Sequence, residues 1–422
     1  MRIRCDNLRL ELSAPPSKSI YHRELIVNYI RGARGSYLES QCGDSVDVTA
    51  TKECLRAIDS AALNSDIVLP CHESGSTIRF MIPVALALAG SPGRRLIFGT
   101  EGRLIDRPIE ELADCLRSHN ISIVKEYDKS QVAVTGTLAP GKYVIDGSVS
   151  SQYISGLLMA LSALKEDSEV EVTSSLSSVH YIELTTEVLR KYGTEIVREG
   201  GIFHVPALRK TAEGGNCADG SFTVEGDWSN GAFLLALGSL IRDGGVTCSG
   251  LNIQSAQGDV AILGFMSELG IRIDNDAASN CIHVGCAVRN ERCALITRDC
   301  NDTPDIVPYM AVLGAFFASK TVLTGISRLR LKESDRVRSV CEMLGSCGIK
   351  ACADENSITV YGINYDDIPE EISLTSSNDH RMCMTAVLLA AGLGREIEID
   401  DIECLDKSFP EMKGIIAEEM RL

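Results

Sequence analysis

The sequence predicts an α/β protein of two large lobes, in which one supersecondary pattern occurs six times, three times in each lobe. Length is the first observation, because 422 residues exceed what a single hydrophobic core normally organises. The second is that short β-branched strands alternate with amphipathic helices along the chain. The third is a set of six further helices that are apolar nearly all round, and such helices are normally buried.

Each copy of the pattern begins with a β-branched strand, continues with an amphipathic helix, and closes with one or two further strands. In two copies the helices are predicted over residues 259–269 and 333–347, followed by strands at 271–273 and 349–351. The six copies begin at Tyr37, Leu96, Val170, Val246, Val322 and Ile397.

The two ends of the chain share the sixth copy. Its helix is predicted near residues 410–419, where the chain stops without the closing strands. A hairpin is predicted instead at the amino end, from strands at residues 2–4 and 8–12. Both ends therefore belong to one lobe.

The lobe boundaries follow from turn-forming residues. Pro16 and Gly226 mark the crossovers, since proline and glycine punctuate regular elements. One lobe is predicted over residues 1–16 and 226–422, and the other over residues 17–225, with the active site in the cleft between them.

Each apolar helix opens with a polar cluster, and the helices begin near Ile20, Ser76, Gln152, Asn230, Asp305 and Arg381. A lone serine or aspartate at such a position normally caps the helix. Capping does not require cations, however, and Lys18, Arg23, Arg79 and Arg381 oppose the positive end of the helix dipole. A bound anion would resolve this conflict, because free N–H groups, dipole and side chains would act together.

The composition limits the partners. A formal net charge of −17 disfavours nucleic acid, although local cations can still bind a small anion. The longest apolar stretches are too short to span a bilayer, and the start of the chain has no apolar region typical of a signal peptide, so we expect no membrane partner. None of the 16 cysteines forms a Cys-x-x-Cys pair, so we expect free core thiols in a reducing cytoplasm and no metal.

Six short motifs carry a resemblance to a known family. They are SKS at residues 17–19 with Arg23, GST at 75–77 with Arg79, RPI at 107–109, DGSVSSQ at 146–152, KESDR at 332–336 and NDHR at 378–381. Each motif alone is weak, but the ordered set, which covers nearly the whole chain, resembles the 5-enolpyruvylshikimate-3-phosphate (EPSP) synthase family.

The resemblance implies the enolpyruvyl transferase fold, an inside-out α/β barrel of six βαβαββ-type repeats with three in each lobe. It also implies a reaction of the shikimate pathway. Phosphoenolpyruvate and shikimate 3-phosphate would give 5-enolpyruvylshikimate 3-phosphate and phosphate, with no cofactor and no metal. No exposed apolar seam is evident in the sequence, so we expect a monomer.

The resemblance also implies which residues bind each substrate. Those expected to hold shikimate 3-phosphate are Lys18, Ser19, Arg23, Ser150, Ser151, Gln152, Ser178, Asp305 and Lys332. Those expected to hold phosphoenolpyruvate are Lys18, Gly75, Arg107, Gln152, Arg336, Arg381 and Lys407.

The catalytic roles implied by the resemblance fall on three residues. Asp305 would accept the proton of the attacking 5-hydroxyl group, and Glu333, aided by Lys18, would protonate the methylene carbon of phosphoenolpyruvate. Two positions depart from the family pattern: Glu73 and Arg328 stand where the family usually has asparagine. An acidic side chain is unexpected next to a phosphate site.

Two other functions remain open from the sequence. One is the related transferase that acts on UDP-N-acetylglucosamine, although its usual Lys-Asn pair is here Lys18-Ser19, and the loop before Arg107 has no cysteine. The other is a non-catalytic anion-binding protein of the same fold. Carboxylates at positions 305 and 333 disfavour this second reading, because anion binding alone would not need them.

Overall fold

The structure is a computed structural model that describes residues 1–422 except 40, 42, 63–64, 177, 208–221, 277–278, 289–291 and 421–422. The chain forms two compact units. The first unit consists of Met1–Ser17 and Glu225–Leu422, and the second of Lys18–Val224.

The described residues contain twelve α-helices. In chain order they are α1 Lys18–Ile30, α2 Val46–Ser60, α3 Gly75–Ala89, α4 Glu110–Arg117, α5 Ser151–Leu161, α6 Val179–Lys191, α7 Trp228–Leu240, α8 Ile262–Glu268, α9 Val307–Phe317, α10 Arg336–Ser346, α11 His380–Leu393 and α12 Glu411–Ile415.

The strands of the described chain are short. They are β1 Arg2–Ile3, β2 Arg9–Ser13, β3 Ile67–Pro70, β4 Arg95–Gly99, β5 Ser122–Glu126, β6 Gln131–Thr135, β7 Lys142–Ile145, β8 Ser168–Val172, β9 Val197–Glu199, β10 Ile202–Val205, β11 Gly245–Ser249, β12 Asp274–Asp276, β13 Cys281–Gly285, β14 Ile296–Asp299, β15 Lys320–Thr324, β16 Ala351–Ala353, β17 Ser357–Tyr361, β18 Ser373–Leu374 and β19 Ile397–Ile399.

In the second unit the described strands form two four-stranded sheets, with orders β3-β4-β6-β5 and β7-β8-β10-β9. The first two strands of each sheet run parallel and the remaining pairs are antiparallel. Helix α3 joins β3 to β4, and α5 joins β7 to β8. The apolar helices α3 and α5 pack closely, since a Cβ atom at Gly156 would lie 2.7 Å from the backbone oxygen of Arg79.

In the first unit the described strands form three sheets, with orders β2-β11-β13-β12, β14-β15-β17-β16 and β18-β19-β1. In each sheet the first pair is parallel and the next pair antiparallel. Helices α7, α9 and α11 supply much of the unit's hydrophobic core. Helices α7 and α11 each follow a residue whose side chain caps the helix, as α3 does. That residue is Asp227 for α7 and Asp379 for α11.

The sequence prediction was wrong at the amino end. The strands predicted to pair as a hairpin, at residues 2–4 and 8–12, instead join two different sheets: β1 pairs with β19, and β2 pairs with β11. Asn7 adopts a left-handed φ of 56° between them, and its N–H bonds to the Arg242 carbonyl, so the chain leaves one sheet for the other.

Two predicted strands begin later than expected for one physical reason. Glycines 270 and 348 adopt positive φ after α8 and α10, and the next N–H groups, of Ile271 and Ile349, bond back to carbonyls of those helices. The residues that close each helix in this way were predicted to belong to the next strand. The strands therefore begin later, at Asp274 and Ala351.

Three other elements also differ from the prediction. The strand expected to begin at Tyr37 is instead part of a 3₁₀-helix, Ser36–Leu38, directly after Gly35 at φ 135°. Helix α10 begins later than residue 333, because Asp335 caps it by accepting the N–H of Arg338. The last helix ends at Ile415 and continues as a π-helical turn to Met420. No helix in the described chain is long and apolar enough to cross a membrane.

A buried ion pair in the second unit gives a test of this fold. Lys52 of α2 has no exposed side-chain surface, and its Nζ donates to Asp44 Oδ2 at 2.7 Å. We expect Asp44→Ala to lower the free energy of unfolding by about 3 kcal/mol, because it leaves a buried charge unpaired. Asp59→Ala, which breaks the exposed Arg34–Asp59 pair, should cost less than about 1 kcal/mol. Equal losses in urea unfolding would contradict the prediction.

Candidate active site

The predicted site residues of the second unit gather at the N-termini of α1, α3 and α5. We call Lys18, Ser19, Arg23, Gly75, Arg107 and Gln152 the Lys18 cluster. Lys18 is the first residue of α1, and its Nζ donates to Asp47 Oδ2 in the first turn of α2 at 2.8 Å. Thr77 of α3 donates in turn to the Asp47 carbonyl at 3.2 Å. Asp47 thus links the first turns of α1 and α3.

Arg23 lies inside the second unit and is 1% exposed. Its guanidinium group donates to neutral oxygens, which are Thr185 Oγ1 at 2.7 Å, Ser155 Oγ at 3.3 Å, and the carbonyls of Ser19 and Tyr181. Burial lowers its pKa to about 10, so Arg23 stays charged at neutral pH. Because these partners are uncharged, Arg23 contributes positive charge to its surroundings while fixing α1 against α5 and α6.

Gly75 and Arg107 are in close contact. A Cβ atom at Gly75 would lie 2.7 Å from Arg107 Cζ, so only glycine lets the guanidinium group approach the first turn of α3 this closely. Gln152 joins the same region from α5, since its Nε2 donates to Ser76 Oγ at 2.8 Å. Arg79 then donates to Gln152 Oε1 at 2.9 Å. The structure therefore brings the predicted Gly75, Arg107 and Gln152 together.

The predicted serines lie at helix starts in the same unit. Ser150 caps α5 by accepting the N–H of Gln152, and Ser151 is the first residue of that helix. Ser178 precedes α6, is buried, and has a left-handed φ of 53°. Its carbonyl accepts the N–H of Tyr181 at 3.1 Å, which places it next to the carbonyl that Arg23 contacts.

In the first unit the predicted residues form a second group around a buried guanidinium. We call Arg336, Asp305, Lys332, Glu333 and Asp379 the Arg336 cluster. Arg336 Nη1 donates to Asp305 Oδ1 at 2.6 Å, and Nη2 donates to Glu333 Oε2 at 2.8 Å. Asp379 accepts from Nε at 2.8 Å and from Nη2 at 3.2 Å. Arg336 therefore touches three carboxylates while its side chain is 2% exposed.

Asp305 lies in the 3₁₀ turn that precedes α9, and Lys332 Nζ donates to its Oδ1 at 3.2 Å. Burial alone would raise the pKa of Asp305, but the positive charges of Lys332, Arg336 and Arg381 outweigh burial and lower it well below its usual range. The carboxyl group is therefore ionised at neutral pH.

Arg381 is the second residue of α11, and Lys407 contacts the backbone just before that helix. Arg381 Nη1 donates to Tyr309 Oη at 3.0 Å and to Asn230 Oδ1 at 3.3 Å. Lys407 Nζ donates to the carbonyl of Asn378 at 2.8 Å, in the same NDHR motif. Both predicted cations thus lie at a helix end with a positive dipole.

The two departures from the family pattern have defined contacts. The Glu73 side chain lies against Gly102, where a Cβ atom would be 2.9 Å from Glu73 Cδ, so it reaches across to the loop before Arg107. Arg328 Nη2 donates to the carbonyl of Asn301, four residues before Asp305. Arg328 thereby supports the loop that carries Asp305.

The sequence did not predict three carboxylates that lie near the expected site residues. Asp47 and Asp379 hold Lys18 and Arg336, and Asp259 is a buried carboxyl that bonds to the Ser229 hydroxyl. Burial first, and the negative charge of Asp305 second, raise the pKa of Asp259 to about 7. Asp379 was visible in the NDHR motif as a cap, whereas nothing near Asp47 in the sequence indicated its contact with Lys18.

Comparison with solved structures identifies the fold. EPSP synthase from Acinetobacter baumannii matches with a TM-score of 0.71 and 20% sequence identity over 99% of this chain and 98% of that chain. The enolpyruvyl transferase NikO from Streptomyces tendae matches with a TM-score of 0.70 and 14% identity over 99% and 97%. The mixed α/β fold is therefore that of the enolpyruvyl transferases.

Sequence comparison gives the family. The model of the family described as EPSP synthase (3-phosphoshikimate 1-carboxyvinyltransferase) matches residues 4–416. The 3-phosphoshikimate 1-carboxyvinyltransferase of Clostridium kluyveri is 31% identical over 417 residues, covering 95% of this chain and 92% of the relative. That of Clostridium acetobutylicum is 29% identical, covering 96% and 93%. The chain belongs to the EPSP synthase family, as the motifs indicated.

The raised pKa of Asp259 predicts a pH-dependent stability. The folded state binds this proton more tightly than the unfolded chain, so the free energy of unfolding falls as pH rises from about 4 to about 7. We expect Asp259→Asn to raise the free energy of unfolding by about 2 kcal/mol at about pH 8, and to change it little at about pH 4. Urea unfolding at both pH values measures this. If Asp259→Asn is less stable than wild type at about pH 8, the raised pKa of Asp259 is contradicted.

Proposed function

We propose that this chain transfers the enolpyruvyl group of phosphoenolpyruvate to the 5-hydroxyl of shikimate 3-phosphate and releases phosphate. Its family is one of transferases of this kind, matched over residues 4–416. The observation that carries the proposal is the Arg336 cluster. It holds two carboxylates, Asp305 and Glu333, against cations in one buried network, and this chemistry needs a base and an acid beside groups that bind anions.

The domain arrangement is part of the same proposal. We place one lobe at residues 1–16 and 226–422 and the other at residues 17–225, each with three βαβαββ-type repeats of an inside-out α/β barrel and with the active site in the cleft between them. The shared order of the four-stranded sheets supports the repeats. The division of the chain into two compact units supports the lobes.

The Lys18 cluster suits a phosphorylated ligand. It combines the N-termini of α1, α3 and α5 with Lys18, Arg23 and Arg107, and free N–H groups at helix starts bind phosphate. Ser19, Ser150, Ser151, Ser178 and Gln152 add hydroxyl and amide groups for shikimate 3-phosphate. Gly75 gives the backbone access that a phosphate of phosphoenolpyruvate would need.

The Arg336 cluster suits the carboxylate end of phosphoenolpyruvate and the reacting groups. Arg336, Arg381 and Lys407 would bind phosphoenolpyruvate, and Lys332 with Asp305 would hold the 5-hydroxyl. Asp305 accepts the hydroxyl proton, while Glu333 with Lys18 protonates the methylene carbon, and the hydroxyl oxygen bonds to the neighbouring carbon to give a tetrahedral intermediate. The proton transfers then run in reverse: the methyl group returns its proton to Glu333, the carbon–oxygen bond to phosphate breaks, and the double bond re-forms. Each general acid or base typically contributes about 10²–10⁴-fold. Fixed cations stabilise charge on the departing phosphate.

No cofactor, metal, nucleic acid or membrane takes part in this scheme. We further propose that the enzyme acts as a monomer in the cytoplasm. The net charge of −17 agrees with small-molecule substrates, because two anionic ligands require local cations and no extended basic surface.

An acceptor assay tests the proposed function. We expect the protein to release phosphate from phosphoenolpyruvate with shikimate 3-phosphate as acceptor and not with UDP-N-acetylglucosamine. Release only with the nucleotide sugar would assign the chain to the related transferase. Release with neither acceptor would indicate a non-catalytic anion-binding protein.

A matched pair of lysine variants ties turnover to the Lys18 cluster. Lys18→Met should lower kcat/KM at least about 10²-fold, because it removes a cation from both substrates. Lys142→Met removes a lysine that also pairs with a carboxylate in the same unit, Glu171, but on an exposed sheet surface. Its kcat/KM should change less than about 2-fold. Equal activities of the two variants would remove Lys18 from the site.

A further inference from the structure

The guanidinium group of Arg336 has two distinct edges with different partners. Its Nε–Nη2 edge faces Asp379, which accepts from both nitrogens at 2.8 and 3.2 Å. Its Nη1–Nη2 edge is occupied by two side chains, with Asp305 Oδ1 at 2.6 Å from Nη1 and Glu333 Oε2 at 2.8 Å from Nη2. Either edge has the fork geometry that a single carboxylate can bind with two hydrogen bonds.

The partner on the first edge is held firmly. Asp379 is 0% exposed and also accepts the hydroxyl of Ser334 at 2.9 Å and the N–H of Arg381 at 2.9 Å. It therefore ties Arg336 to the start of α11 and to the loop before α10. Moving a fully buried carboxylate away from its cation costs several kcal/mol, so this edge stays closed.

The partners on the second edge are more exposed. The side chains of Asp305 and Glu333 are 18% and 20% exposed, compared with 0% for Asp379. They are also the two residues to which the proposed function gives the roles of base and acid. A substrate carboxylate that binds this edge competes with both of them, because Nη1 donates to Asp305 and Nη2 donates to Glu333.

We propose that Arg336 is a carboxylate-exchange site, in which Asp379 positions the guanidinium group and the carboxylate of phosphoenolpyruvate replaces Asp305 and Glu333 on its Nη1–Nη2 edge. The inference rests on the proposed function. Its consequence is that binding of one substrate releases the base and the acid at the moment they are needed. Asp305 is a weak base in this network, because the positive charges of Lys332, Arg336 and Arg381 lower its pKa, and loss of the pair with Arg336 removes part of that effect. The anionic substrate offsets the charge of Arg336.

Exchange makes an unusual prediction for binding. If Asp305 competes with the substrate for Arg336, the apparent Kd is raised by the reciprocal of the fraction of Arg336 that is available. Asp305→Asn should therefore bind phosphoenolpyruvate at least about 5-fold more tightly than wild type, although it loses the base. Asp379→Asn should bind it at least about 10-fold more weakly, because Arg336 loses its support.

The control is Asp335→Asn, which makes the same change of charge one residue from Arg336. Asp335 accepts from the Arg338 N–H and from Arg330, so it caps α10 without contacting the guanidinium of Arg336. Its Kd should equal that of wild type within about 2-fold. Comparison with this variant separates exchange from a general effect of removing one negative charge.

The measurement is isothermal titration calorimetry of phosphoenolpyruvate alone, with no acceptor present, so that no turnover occurs. Circular dichroism checks the fold of each variant. If Asp379→Asn does not fold, Ser334→Ala replaces it, and loss of the hydroxyl donor to Asp379 should weaken binding about 2-fold. If Asp305→Asn binds no more tightly than Asp335→Asn, or if neither binds measurably, the exchange is wrong.

Failure of the exchange and failure of the proposed function are distinguishable. Wild-type protein that releases phosphate with shikimate 3-phosphate retains the proposed function whatever the affinities of the variants. If the wild-type protein releases no phosphate, the proposed function is wrong, and the inference about Arg336 is wrong as well.

Discussion

Buried cations need an oxygen acceptor for nearly every N–H group, and this constraint shapes both clusters. Lys18 is paired with Asp47, Arg23 with neutral oxygens, and Arg336 with three carboxylates. These partners keep the positive charges in fixed positions at helix starts, where the helix dipole alone would oppose them. Under the proposed function, a substrate anion meets cations that these partners already hold in place, although at Arg336 it must compete with Asp305 and Glu333.

Much of the fold could be predicted because it depends on local pattern. The apolar helices begin close to the predicted residues, as with Gly75 for α3 and His380 for α11. Strand pairing at the amino end could not be predicted, because residues 2–13 contain nothing that distinguishes a hairpin from two strands in separate sheets. Two strands were predicted to begin too early, at residues 271 and 349, for a similar reason. Apolar residues that follow a helix-ending glycine resemble a strand in sequence.

The cations of the candidate site were easier to predict than the carboxylates that hold them. A lysine or arginine in the first turn of an apolar helix is anomalous in the sequence itself, whereas an aspartate there is a normal cap. Asp47 lies 29 residues from Lys18 in the chain, so only folding brings the two together. Asp379 has both roles, because one carboxylate caps α11 and binds Arg336. Its second role depends on tertiary structure.

We propose that one pair of phosphorylated acids binds to residues of both the Lys18 cluster and the Arg336 cluster. A crystal structure of the protein with shikimate 3-phosphate and phosphoenolpyruvate bound tests this most directly. We expect ligand atoms within hydrogen-bond distance of Lys18 and Arg107 in one unit and of Arg336 and Arg381 in the other. Ligands that contact only one of the two clusters would contradict this proposal.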